Sequence, residues 1–238
     1  MADFNIGFVI FPRITQLDFT GPFEVLGRLG TPPSVSTPSQ FPETKVHVIA
    51  KTLGPVTSDR DLTFMPTCTF ESSPPLDLIC VPGGAGVADA LSDEETLEFI
   101  RVQGQRARYV TSVCMGSLLL GAVGLLRGRR ATTHWAYVDL LPLVGARHER
   151  GRIVGDGNVF TSAGVSAGID FAFGVVAEIA GPDVAKAIQL SIEYDPEPPF
   201  DSGHPDKASE QAKELMIQRN QASHTAIRQA LERLAVAR

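Results

Sequence analysis

The stretch that decides the fold is Tyr109-Val110-Thr111-Ser112-Val113-Cys114-Met115-Gly116-Ser117-Leu118-Leu119-Leu120. A strand-like apolar run passes directly into a helix-like one, with Cys114 at the junction. A residue held in such a strand-to-helix turn projects from the end of a sheet, and Gly116 lets the neighbouring backbone come close. The helix N-terminus is expected to place amide donors beside the sulfur, lower the thiol pKa below its ordinary value of roughly 8.5 and supply a thiolate at neutral pH. The alternative is a buried structural cysteine, the commonest fate of a free thiol.

Working outward, short β-branched and aromatic runs alternate with helical segments, the pattern of an α/β fold with a mainly parallel sheet. Phe4–Phe11, Val46–Lys51, Leu76–Val81 and Arg108–Val113 read as strands. Phe23–Leu29, Asp93–Gln105, Met115–Leu126 and Ala136–Leu143 read as helices, and Pro55–Cys68 as a small β excursion turning at Ser58–Asp61. Asp156-Gly157-Asn158 is a hairpin turn between Ile153–Gly155 and Val159–Thr161. Val165–Ala180 and Pro182–Ile192 read as two further helices, the second with proline in its first turn. Four prolines crowd Glu193–Pro205, a linker, and Asp206–Arg238 is helical in propensity with sparse apolar positions. The expected division is an α/β domain over 1–195 and a linker with helical tail over 196–238. The tail has apolar positions enough to dock and too few for a core of its own.

The chain has 238 residues, 21 Lys plus Arg against 27 Asp plus Glu, and a formal charge of −6; it is 20% charged and 43% hydrophobic. That composition is globular, and its negative charge gives no long-range attraction for nucleic acid or anionic lipid, so neither partner is expected. The longest apolar run, Leu118–Leu126, is broken by Gly121 and Gly124 and is about half of what a membrane span needs. The N-terminal MADFNIGFVIFPR lacks the basic start and cleavage site of a signal peptide, so a cytoplasmic location is expected. Three cysteines without a C-x-x-C pair suggest neither a disulfide framework nor zinc, and the five histidines fit no metal-ligand spacing.

In an open parallel sheet, ligands bind beyond the carboxyl ends of the strands, so the loops there carry most weight. Val81-Pro82-Gly83-Gly84-Ala85-Gly86 follows one strand, and its glycines can aim backbone amides at a developing anion. A tight turn needing positive φ is the alternative. Thr15-Gln16-Leu17-Asp18-Phe19-Thr20-Gly21-Pro22 follows the first strand. Asp18, between Leu17 and Phe19, is expected to be partly buried and to carry a proton near neutrality; a helix cap is the alternative. Ala131-Thr132-Thr133-His134-Trp135 offers His134 as a partner for the cysteine or as a structural ring. Cys80, inside the Leu78–Val81 strand, reads as core, and Cys68 has no supporting context.

Together, Ser112-Val113-Cys114-Met115-Gly116, Val81-Pro82-Gly83-Gly84, Ala131–Trp135 and Thr161-Ser162-Ala163-Gly164 to Asp170 resemble the ThiJ/PfpI superfamily, the class I glutamine amidotransferase-like fold. Gln16–Pro22 resembles its branch holding isocyanide hydratases and the ligand-sensing halves of AraC-type regulators. The resemblance covers about residues 4–195. It implies a flavodoxin-like three-layer sandwich, a homodimer, a reactive Cys114 on a nucleophile elbow and Asp18 as the acid beside it. The reaction implied is cofactor-free and metal-free hydration of an isocyanide to a formamide, a hydro-lyase activity. The amides of Met115 and Gly84 would assist beside Gly83, and the helix beginning near Val165 would wall the pocket. Met115 departs from the small residue or threonine common after the cysteine in hydratase-like members, so a hydroxyl contact to sulfur is lost. The tail after 205 is too short for a two-motif DNA-binding half and nearly neutral. The competing expectations are a glyoxalase- or hydrolase-type enzyme using His134 as base, and a non-catalytic redox or small-molecule sensor.

Overall fold

The structure is a computed structural model describing residues 3–30 and 41–236. In chain order the strands are β1 Phe4–Val9, β2 Thr44–Ala50, β3 Val56–Thr57, β4 Thr63–Phe64, β5 Cys68–Thr69, β6 Leu78–Val81, β7 Tyr109–Val113, β8 Arg130–Ala131, β9 Arg147–His148, β10 Ile153–Asp156 and β11 Val159–Ser162. The α-helices are α1 Gln16–Leu26, α2 Val87–Ala90, α3 Glu94–Arg106, α4 Gly116–Ala122, α5 Ala167–Ala180, α6 Pro182–Ser191 and α7 Glu210–Val236. Trp135–Val144 is a 3-10 segment.

Seven strands form the main sheet in the order β10-β11-β7-β6-β1-β2-β5, parallel throughout except for the β10–β11 hairpin. The central strands are buried on both faces because both are covered, as in parallel sheets generally, with Thr111 and Ser112 the polar exceptions in the otherwise apolar run of β7. β6 is buried along its whole length, and Cys80 within it is core, its thiol pushed up to about 12 by burial. Helices α1, α5 and α6 pack on one another on one side, and α3, α4 and the 3-10 segment on the other, so the chain is the expected α/β flavodoxin-like sandwich. α7 packs on the 3-10 segment and α2, burying Ile227, Ala230 and Leu231. Among the described residues, no helix is long and apolar enough to cross a membrane.

Several boundaries differ from the sequence reading. α1 begins at Gln16, not Phe23, so Asp18 lies in its first turn and Pro22 sits inside it. The Phe19 ring packs against Phe8, Phe23 and Phe64, which fixes the rotation of α1 and turns Asp18 toward the strand ends. α4 stops at Ala122, short of Leu126. Beyond its end, Arg129 and Arg130 bind the β10–β11 hairpin at Asp156 and Gly155. Ala136–Leu143 is 3-10 rather than α-helical, with Pro142 inside it.

Gly116 shows how tightly the elbow is built. A Cβ there would lie 1.9 Å from Val81 O, a backbone atom of the adjacent strand. Gly116→Ala is expected to lower stability by about 3 kcal/mol, in the range of overpacked cores, and Gly203→Ala, with open space around it, to stay within about 0.5 kcal/mol of the parent. Chemical denaturation of both variants measures the difference.

Candidate active site

β6 lies between β1 and β7, so the glycine loop after β6 separates the loop after β1 from the elbow after β7. Backbone bonds join the first two: Thr15 N–H donates to Gly83 O at 3.0 Å, Gly86 N–H donates to Arg13 O at 3.0 Å, and Ile14 and Gly84 form a bridge. Gly84 has φ +131° and leaves no room for a side chain against Thr15. A Cβ on Gly83 would come within 2.7 Å of Met115 N, 2.9 Å of Asp18 Oδ2 and 3.0 Å of Cys114 Cβ. Glycine is thus the thinnest spacer that still holds acid and nucleophile together.

Cys114 has φ +56°, a left-handed conformation uncommon for a residue with a side chain and typical of a nucleophile elbow. It is 2% exposed. Its amide donates to Ser162 O and Ala163 O, and its carbonyl accepts from Thr133 Oγ1 at 2.9 Å. The sulfur receives the amides of Met115 and Val165. Even so, its pKa stands well above the ordinary thiol value, first through burial and then through the negative charge of Asp18; the two amides pull the other way and lose. The sequence-based expectation of a lowered pKa is corrected here, because it counted the helix N-terminus and not the dry, anionic surroundings.

Asp18 has no exposed surface. Burial raises its pKa to about 7, against the opposing hydrogen bond from Gly83 N–H at 2.9 Å and interaction with the Cys114 thiol. The charge of Asp59 pushes it further up. Asp59 reaches the site from the β3–β4 turn, where its Oδ2 accepts from Thr15 Oγ1 at 2.7 Å. Apart from the Cys114 thiol, Oδ1 of Asp18 and Oδ1 of Asp59 are buried with no hydrogen-bond partner among the described residues. Thiol and carboxyl titrate as a pair, both raised, and the pair passes from two protons to one as pH rises through about 7.

The other expected residues fall as follows. Met115 supplies its amide to the sulfur. The second amide comes from Val165, at φ +26°, so Val165 touches the reactive atom as well as walling the pocket. Gly83 spends its N–H on Asp18, and Gly84 is held against Arg13–Thr15. His134 lines the same cavity, but burial lowers its pKa to about 4, leaving it neutral. Its Nδ1 accepts from Ala136 N–H at 3.2 Å, so the neutral ring carries its proton on Nε2 and can donate there. No group of three or more metal-ligating side chains occurs among the described residues.

The cavity has a volume of about 860 Å³ and runs from Cys114, Met115 and Val165 past Trp135 and Tyr137 to α7. Sequence reading missed Asp59, Tyr137 and the α7 residues. Tyr137, three positions after His134, had a signal in the aromatic spacing; Asp59 had only its place in a predicted turn. The tail gave none.

A mainly parallel α/β sheet with a positive-φ cysteine at a strand end, a buried carboxyl beside it and a cavity above defines a cysteine-elbow protein of the flavodoxin-like class. Residues 5–178 match the DJ-1/PfpI family, and the chain belongs to it. It is 55% identical over 204 residues to an isonitrile hydratase of Pseudomonas putida, covering 86% of this chain and 84% of that one. A crystal structure of a ThiJ/PfpI family protein from Pseudomonas syringae is 39% identical, with a TM-score of 0.89 over 97% of this chain and 91% of that chain. A Parkinson disease protein 7 homolog of Danio rerio is 30% identical over 144 residues, 58% of this chain and 76% of that one.

Proposed function

We propose that the protein is an isocyanide hydratase, adding water to R–N≡C to give an N-substituted formamide, with Cys114 as nucleophile and Asp18 as the group that moves protons. The observation that carries the mechanism is the buried carboxyl of Asp18 coupled to the Cys114 thiol, which lines the cavity, and the high identity to a hydratase carries the reaction.

Sγ adds to the terminal carbon of the isocyanide while the proton of the pair passes through Asp18 to that carbon, forming a thioimidate R–N=CH–S. Asp18, now ionised, takes a proton from water as the water oxygen bonds to the carbon, and passes it to the nitrogen. The remaining hydroxyl proton returns to Asp18 as the C–S bond breaks and the formamide carbonyl forms. One proton is back on the pair. The Met115 and Val165 amides stabilise the departing sulfur, and Nε2–H of His134 is available to a polar atom of the substrate. These steps need no metal or organic cofactor. The same reading takes the protein as a homodimer, which rests on the family resemblance, and as cytoplasmic.

A hydrolase or glyoxalase using His134 as base fits less well, since burial disfavours its charged form and its accepting nitrogen is engaged by Ala136. The test is direct: purified protein with cyclohexyl isocyanide is expected to yield N-cyclohexylformamide, and with methylglyoxal no product. Methylglyoxal turnover without formamide would overturn the proposal.

A further inference from the structure

Helix α7 is 27 residues long and carries one continuous face against the body of the protein. Met216, Asn220, Ser223 and Ile227 fall at steps of four, three and four, so they share that face. Its C-terminal half is apolar and packed, with Ile227, Ala230 and Leu231 buried. Beside it, Asp139 of the 3-10 segment binds His224 Nε2 at 2.9 Å and Arg228 Nη2 at 2.6 Å, and the His224 ring stacks on Tyr137. These contacts anchor the helix.

One and two turns earlier the same face changes character. Met216, Asn220 and Ser223 line the cavity that holds Cys114. Ser223 Oγ is buried beside the Tyr137 hydroxyl, with which it interacts, and finds no other partner among the described residues. The Asn220 side chain has no hydrogen-bond partner among the described residues. A packed helix face normally continues apolar, and a buried hydroxyl normally finds a partner, since leaving it unpaired costs about 1–3 kcal/mol. On α7 the apolar face gives way where the helix crosses the cavity, and Asn220 and Ser223 keep hydrogen-bonding capacity there.

We propose that α7 is the specificity-determining wall of the site, and that Asn220 and Ser223 select isocyanides whose substituent carries a hydrogen-bonding group remote from the isocyano carbon. This rests on the hydratase reading above. The cavity is much larger than the isocyano group needs, and its lining is of two kinds. Cys114, Met115 and Val165 carry the chemistry, and α7 contributes the side-chain amide of Asn220 and the hydroxyl of Ser223. A substituent that fills the remaining volume meets Asn220 and Ser223, with Met216 beside them.

The experiment compares 4-isocyanobenzamide with cyclohexyl isocyanide in the parent protein, in Asn220→Leu and in Asn220→Leu with Ser223→Ala. The ratio of kcat/KM for the benzamide over the cyclohexyl substrate is expected to fall about fivefold in the single variant and tenfold or more in the double, mainly through KM. A ratio within twofold of the parent in both variants overturns the inference and leaves the hydratase reading standing. Absence of formamide from both substrates with the parent protein overturns that reading and this inference together.

Discussion

Cys114→Ala is expected to reduce formamide production from cyclohexyl isocyanide by about 1000-fold or more, the scale of loss when a covalent nucleophile is removed. Without the sulfur no thioimidate forms, and direct water addition has no group to carry the charge. Cys114→Ser should be as inactive: an alcohol holds its proton far more tightly than a thiol, and Asp18, with a pKa of about 7, is too weak a base to remove it. Both variants keep a Cβ at a φ of +56° that already accommodates one, so both should fold. Circular dichroism checks this. Intact-protein mass spectra of the parent under turnover should show Cys114 heavier by one isocyanide. Turnover in Cys114→Ala within tenfold of the parent would remove the cysteine from the mechanism.

Asp18→Asn is expected to lose activity by about 100- to 10,000-fold, the usual contribution of a positioned acid–base group, and to change stability in the opposite direction. Burial raises the folded pKa of Asp18 from 3.8 to about 7, so between pH 4 and pH 7 the folded chain holds a proton that the unfolded chain releases. The associated stability is complete below pH 4 and is lost as pH rises to 7, by about 4 kcal/mol. Urea denaturation of the parent should therefore show a decline over that window that Asp18→Asn lacks. Activity runs the other way. The reactive state holds one proton on the thiol–carboxyl pair, so kcat/KM of the parent should rise through about pH 7. Asp59→Asn, which removes a neighbouring negative charge, should move that rise to lower pH. A parent stability curve parallel to that of Asp18→Asn from pH 4 to 7 would refute the buried proton.

The α/β class and the elbow were legible because both are local: continuous apolar strands, a cysteine at the strand–helix junction and glycines on either side of it. Asp18 was legible through its apolar neighbours Leu17 and Phe19. The start of α1 was not, because Pro22 reads as a boundary whereas tertiary packing of Phe19 and Phe23 carries the helix through it. The Val165 contact is made by a backbone amide, which every residue but proline possesses, so no side-chain pattern marks it. The direction of the Cys114 pKa depends on dryness and on Asp18, both consequences of the assembled fold. In the tail, the face of α7 passes from cavity to core along its length, which breaks the periodicity that would have revealed it.

The two sides of the cavity differ in how much change they can absorb. On one side Gly83 sits against Met115 N, Asp18 and Cys114 with no space for a methyl group, and the loops around it are tied by main-chain bonds independent of side-chain identity. On the other side is a helix anchored at its far half, whose main contacts are with the 3-10 segment and α2 rather than with the sheet. Substitutions at 216, 220 and 223 can therefore retune what the protein accepts without disturbing how it reacts. The fold separates a fixed reaction from an adjustable diet, and directed evolution toward new isocyanides should find its productive mutations on α7.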